Sequence, residues 1–101
     1  MAYVIVVGVP VTRITIPPAV LSQELADEMV LLHLDSSTYF GLNPLGARIW
    51  ELLKTSQGST VEQLCATLLS EYAVEETALT RDVLRFLSQL RDHRLIMTEP
   101  T

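Results

Sequence analysis

Leu42–Leu53, L-N-P-L-G-A-R-I-W-E-L-L, marks an abrupt change of period in this chain. Upstream of it, M-V-L-L-H-L (29–34) and T-Y-F-G-L (38–42) read as two short strands. From Leu45 onward the apolar residues fall at helical spacing. Asn43 and Pro44 occupy the junction, because asparagine is a strong helix N-cap and proline is preorganised for the first helical position. The stretch therefore predicts a short sheet that runs directly into a capped helix.

Working outward, Val20–Leu25 reads as a first strand, turned by Ala26-Asp27-Glu28 into the second, Met29–Leu34. Both alternating sets of that second strand are mostly apolar, so it is central or one of its faces awaits cover. Asp35-Ser36-Ser37 makes the next turn, and Thr38–Leu42 returns as a third strand at the edge. The helix from Pro44 to about Thr55 carries Leu45, Ile49, Leu52 and Leu53 on one stripe, with Gly58 beyond its end. Trp50 falls off that stripe and reads as a rim residue. A second helix opens at Ser59 or Thr60, with Ser59 and Glu62 as a capping box and Val61, Leu64, Cys65, Leu68 and Tyr72 as its apolar face. A third spans roughly Glu75–His93, acidic in its first turn and basic in its last, which suits the macrodipole. Its core stripe is Leu79, Val83, Phe86, Leu87 and Leu90. Leu95-Ile96-Met97 is expected to pack back as a short extended segment. The predicted class is α+β, a winged helix-turn-helix-like arrangement: a three-stranded antiparallel sheet followed by three helices. Residues 1–18 read as an N-terminal apolar arm or extra strand ending at Pro17-Pro18, and 19–98 as the domain proper.

The chain has 101 residues, 49% apolar and 19% charged, enough for one domain with one core. Its mean hydropathy is +0.31, yet no apolar run approaches the ~20 residues that span a bilayer. The opening M-A-Y-V-I-V-V-G-V-P lacks basic residues before an apolar stretch shorter than the ~7–15 residues of a secretory core. A single cysteine, Cys65, excludes an internal disulfide and suits a reducing cytosol, so a cytoplasmic location is expected. The net charge is −5, and the seven basic residues are scattered or mixed with acids. Nucleic-acid binding, which needs a positive footprint, is disfavoured.

Catalytic chemistry finds little foothold. His33 sits on an alternating strand and His93 near a helix end, 60 positions apart and without an adjacent carboxylate motif. Cys65 lies on an apolar stripe, where a small buried hydrophobe is the better reading than a nucleophile. One cysteine and two distant histidines give no metal-ligand spacing, and the four glycines are isolated, so no phosphate loop is present. No cofactor, no metal and no enzymatic activity are expected.

The block L-L-H-L-D-S-S-T-Y-F-G-L-N-P-L-G-A-R-I-W-E-L-L (31–53) resembles the centre of the PqqD-like proteins, where a hairpin ending in Leu-Asn leads into a Gly-x-x-Ile-Trp helix. S-T-V-E-Q-L (59–64), D-V-L-R-F-L-S-Q-L (82–90) and R-L-I (94–96) continue the resemblance, which covers about residues 20–97. It implies a recognition element for ribosomally made, post-translationally modified peptides. Such an element binds the leader segment of a precursor and delivers it to a leader peptidase or another maturation enzyme. The leader is held as a strand added to the third strand, beside the third helix. A chain of this size looks like the free-standing kind found in lasso-peptide synthesis.

The residues themselves suit that role. Ser37, Thr38, Tyr39 and Phe40 carry neither charge nor proline to blunt pairing at an edge. The third helix leaves two flanks beside its core stripe: Asp82, Arg85, Gln89 and His93 on one, Thr80, Leu84, Ser88 and Arg91 on the other. The first is favoured as the groove wall, with Phe86 and Leu90 at its border, while Leu84 keeps the second open. The candidate peptide-binding set is thus Ser37, Thr38, Tyr39, Phe40, Asp82, Arg85, Phe86, Gln89 and Leu90. Two other classes stand beside it: a winged-helix DNA-binding regulator, and a structural dimerisation subunit using residues 1–10 as the docking strand of a homodimer.

Overall fold

The structure, a computed structural model, describes residues 12–26 and 28–100. Eight elements follow in order: β1 Thr12–Thr15, β2 Val20–Leu25, β3 Glu28–His33, β4 Thr38–Leu42, α1 Pro44–Thr55, α2 Val61–Glu71, α3 Glu76–Asp92 and β5 Met97–Pro100. β2, β3 and β4 form the expected antiparallel sheet, with β3 central. β3 begins one residue earlier than the alternation predicts, at Glu28, and ends at His33. Leu34 has already left the ladder, and its N–H donates to the Ala19 carbonyl at 2.8 Å. Opposite pairs Leu31–Phe40 and Met29–Leu42 place Phe40 and Leu42 on the inward face with fully buried Leu31. Leu32–Tyr39 and Val30–Gly41 lie on the outer face.

The junction at Asn43 forms as its residue types require. The Asn43 Oδ1 accepts the Gly46 N–H at 2.7 Å, and Pro44 opens α1. Beyond the helix, Ser56 is the C-cap and Gln57 takes the left-handed turn (φ 56°). Gly58 follows at φ 118°, where a Cβ would stand 2.6 Å from the Arg13 Nε. The second helix departs from expectation by one residue: the capping box is Thr60 with Gln63, not Ser59 with Glu62. Ser59 is engaged elsewhere, exchanging backbone hydrogen bonds with Ile14 at 2.7 and 3.0 Å.

That exchange is a separate bridge to β1, one strand of a two-stranded sheet that residue periodicity did not announce. β1 pairs antiparallel with β5, from Thr12–Pro100 to Thr15–Met97, so the first and last described strands meet. Ile14 enters the core at 3% exposure, and Leu95 and Ile96, just before β5, are buried with it. The new sheet also changes Trp50. The stripe of α1 taken alone put this side chain on a rim, yet it is 1% exposed. Thr15, Ile16 and Val20 gather around it, and its Nε1 is buried without a hydrogen-bond partner. Sequence reading allotted α1 one covered face; β1 and the turn after it cover a second.

Elsewhere the core follows the stripes, with Ile49, Leu53, Leu64, Leu68, Val83 and Leu90 at most 1% exposed. The exception is Tyr72, expected on the apolar face of the second helix, which is its C-cap and exposed because α2 ends at Glu71. Cys65 lies among them, and burial pushes its thiol up from the ordinary value against a hydrogen bond with Thr80. Arg48 of α1 donates from Nε to Glu71 Oε1 of α2 at 2.8 Å and again from Nη2, a bidentate clasp between the helices. The hydrogen bond to Arg48 holds the Glu71 carboxyl below its usual range. No helix among the described residues is long and apolar enough to cross a membrane.

Two outcomes are expected. Ile14→Ala removes a buried side chain from the strand that pairs with β5, and denaturant unfolding should show a loss of about 2–5 kcal/mol. Because the folded-state pKa of Glu71 is depressed, its contribution is complete above the unfolded value of a glutamate and fades as pH falls through the lower folded value. Glu71→Gln should therefore lower the melting temperature at neutral pH and leave a smaller difference from the parent in acid.

Candidate functional site

The sheet order β2-β3-β4 leaves two edges, and among the described residues β4 pairs with β3 alone. In an antiparallel ladder alternate residues of such a strand direct N–H and C=O groups away from their partner. β2 also has an open side, but Glu24 sits in it and the segment Thr15–Ile16 lies beside it at the Trp50 hollow. β4 carries no charge and no proline along its five residues. It is the edge suited to accept a strand.

Beside the end of β4 runs a groove of about 330 Å³ between the start of α1 and α3. Asn43, Leu45, Gly46 and Ile49 make one wall, and Asp82, Arg85, Phe86 and Gln89 the other. The two walls touch where the Phe86 ring lies against Gly46. A Cβ there would stand 2.9 Å from Phe86 Cε1 and 3.2 Å from the capping Asn43 Oδ1. Glycine in the first turn of a helix costs roughly 0.5–1 kcal/mol relative to alanine, so its presence marks this close approach. At the other end, Phe40 of β4 meets His93, the α3 C-cap, edge to face with ring centroids 5.2 Å apart. α3 thus follows the line from Phe40 to Asn43 and sets the stripe Asp82, Arg85, Phe86, Gln89 and His93 along it.

Two larger hollows lie elsewhere, about 400 Å³ beside Trp50 and about 650 Å³ around the α1–α2 turn with Arg13. Neither adjoins β4, and the second is lined largely by hydroxyl groups already bonded at the capped helix ends.

The candidate residues are distributed as follows. Asp82, Arg85, Phe86 and Gln89 come together in the groove wall, so of the two flanks the first faces it. Thr80, on the second, turns instead to Cys65 of α2. Asp82 lies 3.9 Å from Arg81, while Arg85 makes no ion pair among the described residues. Phe40 is half-buried on the inward face. Thr38 accepts the Ser36 hydroxyl at 2.9 Å, and Ser37 stands in the turn at φ 57°. Two side chains are placed away from the groove. Leu90 is 0% exposed and belongs to the core, and Tyr39, 71% exposed, projects from the outer face. Tyr39 reaches the edge only through its backbone.

Sequence reading missed the α1 wall, Leu45, Gly46 and Ile49, having counted Leu45 and Ile49 as core. The glycine at the third helical position was its available signal. His33 is buried on the sheet, where its Nδ1 accepts the Asp35 N–H at 3.2 Å. Among the described residues no three His, Cys, Asp or Glu side chains cluster as metal ligands would.

Comparison with known proteins bears on this geometry. Residues 28–96 match the family described as Coenzyme PQQ synthesis protein D (PqqD). The chain belongs to the PqqD family. That match takes in β3, β4, the three helices and the groove. A solved structure described as TbiB1 in complex with the TbiA(β) leader peptide superposes with a TM-score of 0.73 and 39% identity, over 81% of this chain and 93% of that one. A second, a lasso peptide synthetase B1 complexed with its leader peptide, gives a TM-score of 0.73 and 26% identity over 83% and 96%. No curated protein gave a significant match. The resemblance to PqqD-like recognition elements read from the sequence therefore holds, and homologues of this chain bind leader peptides.

Proposed function

We propose that this protein is a non-catalytic leader-binding subunit of lasso-peptide biosynthesis. It takes the leader of a precursor peptide as an added strand on β4 and delivers it to a leader peptidase or another maturation enzyme. The observation that carries the reading is the juxtaposition of an uncharged strand edge, unpaired among the described residues, with an amphipathic groove under α3. The two similar structures that hold leader peptides support it.

Magnitudes divide the work between edge and groove. Ordering the leader costs about 1–2 kcal/mol per residue in backbone entropy, and each strand hydrogen bond returns roughly 0.5–1.5 kcal/mol. Main-chain pairing therefore about breaks even. Net affinity comes from apolar leader side chains set against Leu45 and Phe86, both half-buried with surface to spare. Arg85 pairs with a leader carboxylate and Asp82 with a leader cation, which fixes register more than affinity.

Delivery needs a second surface, and the outer face of the sheet provides one. Leu21, Leu25 and Leu34 are each about half exposed there (51%, 51% and 52%) beside Tyr39. The exposed acids at its margins are Glu28 and Asp35. Exposed apolar side chains grouped on one sheet face suit an interaction site. Its acidic rim favours a partner ringed by lysine and arginine, the maturation enzyme, over a second copy whose acids would oppose its own. A DNA-binding role has less support, because α3 carries three acids against three bases and offers no positive footprint. The homodimer expected through residues 1–10 lies outside the described residues.

Fluorescence polarisation tests the reading, using the labelled TbiA(β) leader peptide and the leader of any short precursor found in the neighbouring reading frames. Micromolar or tighter binding, about −8 kcal/mol, is expected. An alanine scan of the leader should concentrate the loss in one or two apolar positions, each weakening binding at least about tenfold. A loss spread evenly along the peptide contradicts the anchored strand, and no binding of either leader contradicts the function.

A further inference from the structure

Resting on the leader-binding reading, we infer that His93 is a further leader-contact residue. Through it α3 braces the Phe40 ring and offers the leader a fixed hydrogen-bond acceptor. Three observations converge on this side chain. His93 continues the groove stripe of α3 one turn past Gln89, on the line of Asp82, Arg85 and Phe86. It is also where α3 meets β4 through an aromatic contact, its ring set at 64° to that of Phe40 with centroids 5.2 Å apart. Finally, its Nδ1 stands 2.8 Å from the Gln89 carbonyl oxygen.

The last distance assigns a tautomer. A carbonyl only accepts, so Nδ1 carries the hydrogen and donates it to Gln89. In the neutral ring Nε2 then has an acceptor lone pair, and no partner for it occurs among the described residues. The ring is exposed yet held twice, by the Gln89 carbonyl on one side and by Phe40 on the other. An exposed imidazole fixed in this manner loses little further freedom on binding, which is what preorganisation means energetically.

A strand laid on β4 passes this pair. Its side chains alternate, and those on the inward side opposite Phe40 come against the aromatic contact. The chemistry that fits is a leader residue with an apolar body and an N–H or O–H donor. The body packs on Phe40, and the donor reaches His93 Nε2. His93 is a positioning and specificity residue in this scheme, not a catalytic one.

Two variants separate the ring from its acceptor. His93→Phe keeps an aromatic side chain beside Phe40 and removes Nε2 together with the Nδ1 bond to Gln89, and should weaken leader binding about threefold in fluorescence polarisation. His93→Ala removes both functions and should weaken it about tenfold or more. His93→Ala gives up the Phe40 contact and the Gln89 bond, so its melting temperature should fall by a few degrees, and that of His93→Phe by less; binding is compared well below either midpoint. A spectroscopic readout isolates the hydrogen bond: on adding the leader to the unaltered protein, the imidazole ¹⁵N resonance of His93 Nε2 should move while Nδ1 stays. Leader binding by His93→Ala equal to that of the parent overturns the inference and leaves the function standing, as does an unmoved Nε2 resonance. Failure of the parent protein to bind either leader removes the function and this inference with it.

Discussion

The hydrogen bond from the Gly46 N–H to the Asn43 side chain, 2.7 Å long, organises most of what this fold presents to a partner. It closes the first turn of α1 immediately after β4, with no linker between sheet and helix. The edge of β4 and the mouth of the groove are therefore fixed relative to each other by three residues. The same turn places Gly46 under Phe86, where a larger residue would push either the ring or the capping oxygen aside. Cap, edge and groove wall cannot be altered independently.

Around that junction the chain is closed firmly. Asn43 and Thr60 cap their helices, Arg48 ties α1 to α2, and β1 pairs with β5 while Ile14 enters the core. The open features are concentrated on the first sheet: the uncharged margin of β4 and the apolar outer face. Exposed strand edges invite unwanted pairing, and natural sheets ordinarily blunt them with charge, proline or cover. Among the described residues none of these devices is used on β4, and the stability that permits an open edge comes from the helices and the second sheet.

Most of the fold was legible in the residues, because local signals and tertiary demands agree over 20–96. The three strands, the Asn43-Pro44 helix start and the apolar stripes of α2 and α3 each follow from one short pattern. What escaped depended on pairing between distant segments. Nothing in Thr12–Thr15 specifies Met97–Pro100 as its partner, and without that pair the burial of Trp50 cannot be deduced from the stripe of α1. The shift of the capping box to Thr60 has the same origin, since Ser59 is drawn into a bridge with Ile14. At the site, a flank of α3 was readable at 100° per residue, whereas the α1 wall was not. Leu45 and Ile49 are apolar for core and groove alike, and only Gly46 signals the close approach. Leu90 shows the converse: its position on the helix borders the groove, but packing seals it.

The account turns on whether β4 is completed by a guest strand. Residue-resolved amide hydrogen exchange, recorded with and without saturating leader peptide, tests this most directly. The amides of β4 that point away from β3 should exchange freely in the unbound protein and slow sharply on binding, while those bonded to β3 stay protected throughout. Outward amides of β4 that are already protected without leader, or that remain fast when leader is bound, would contradict strand addition.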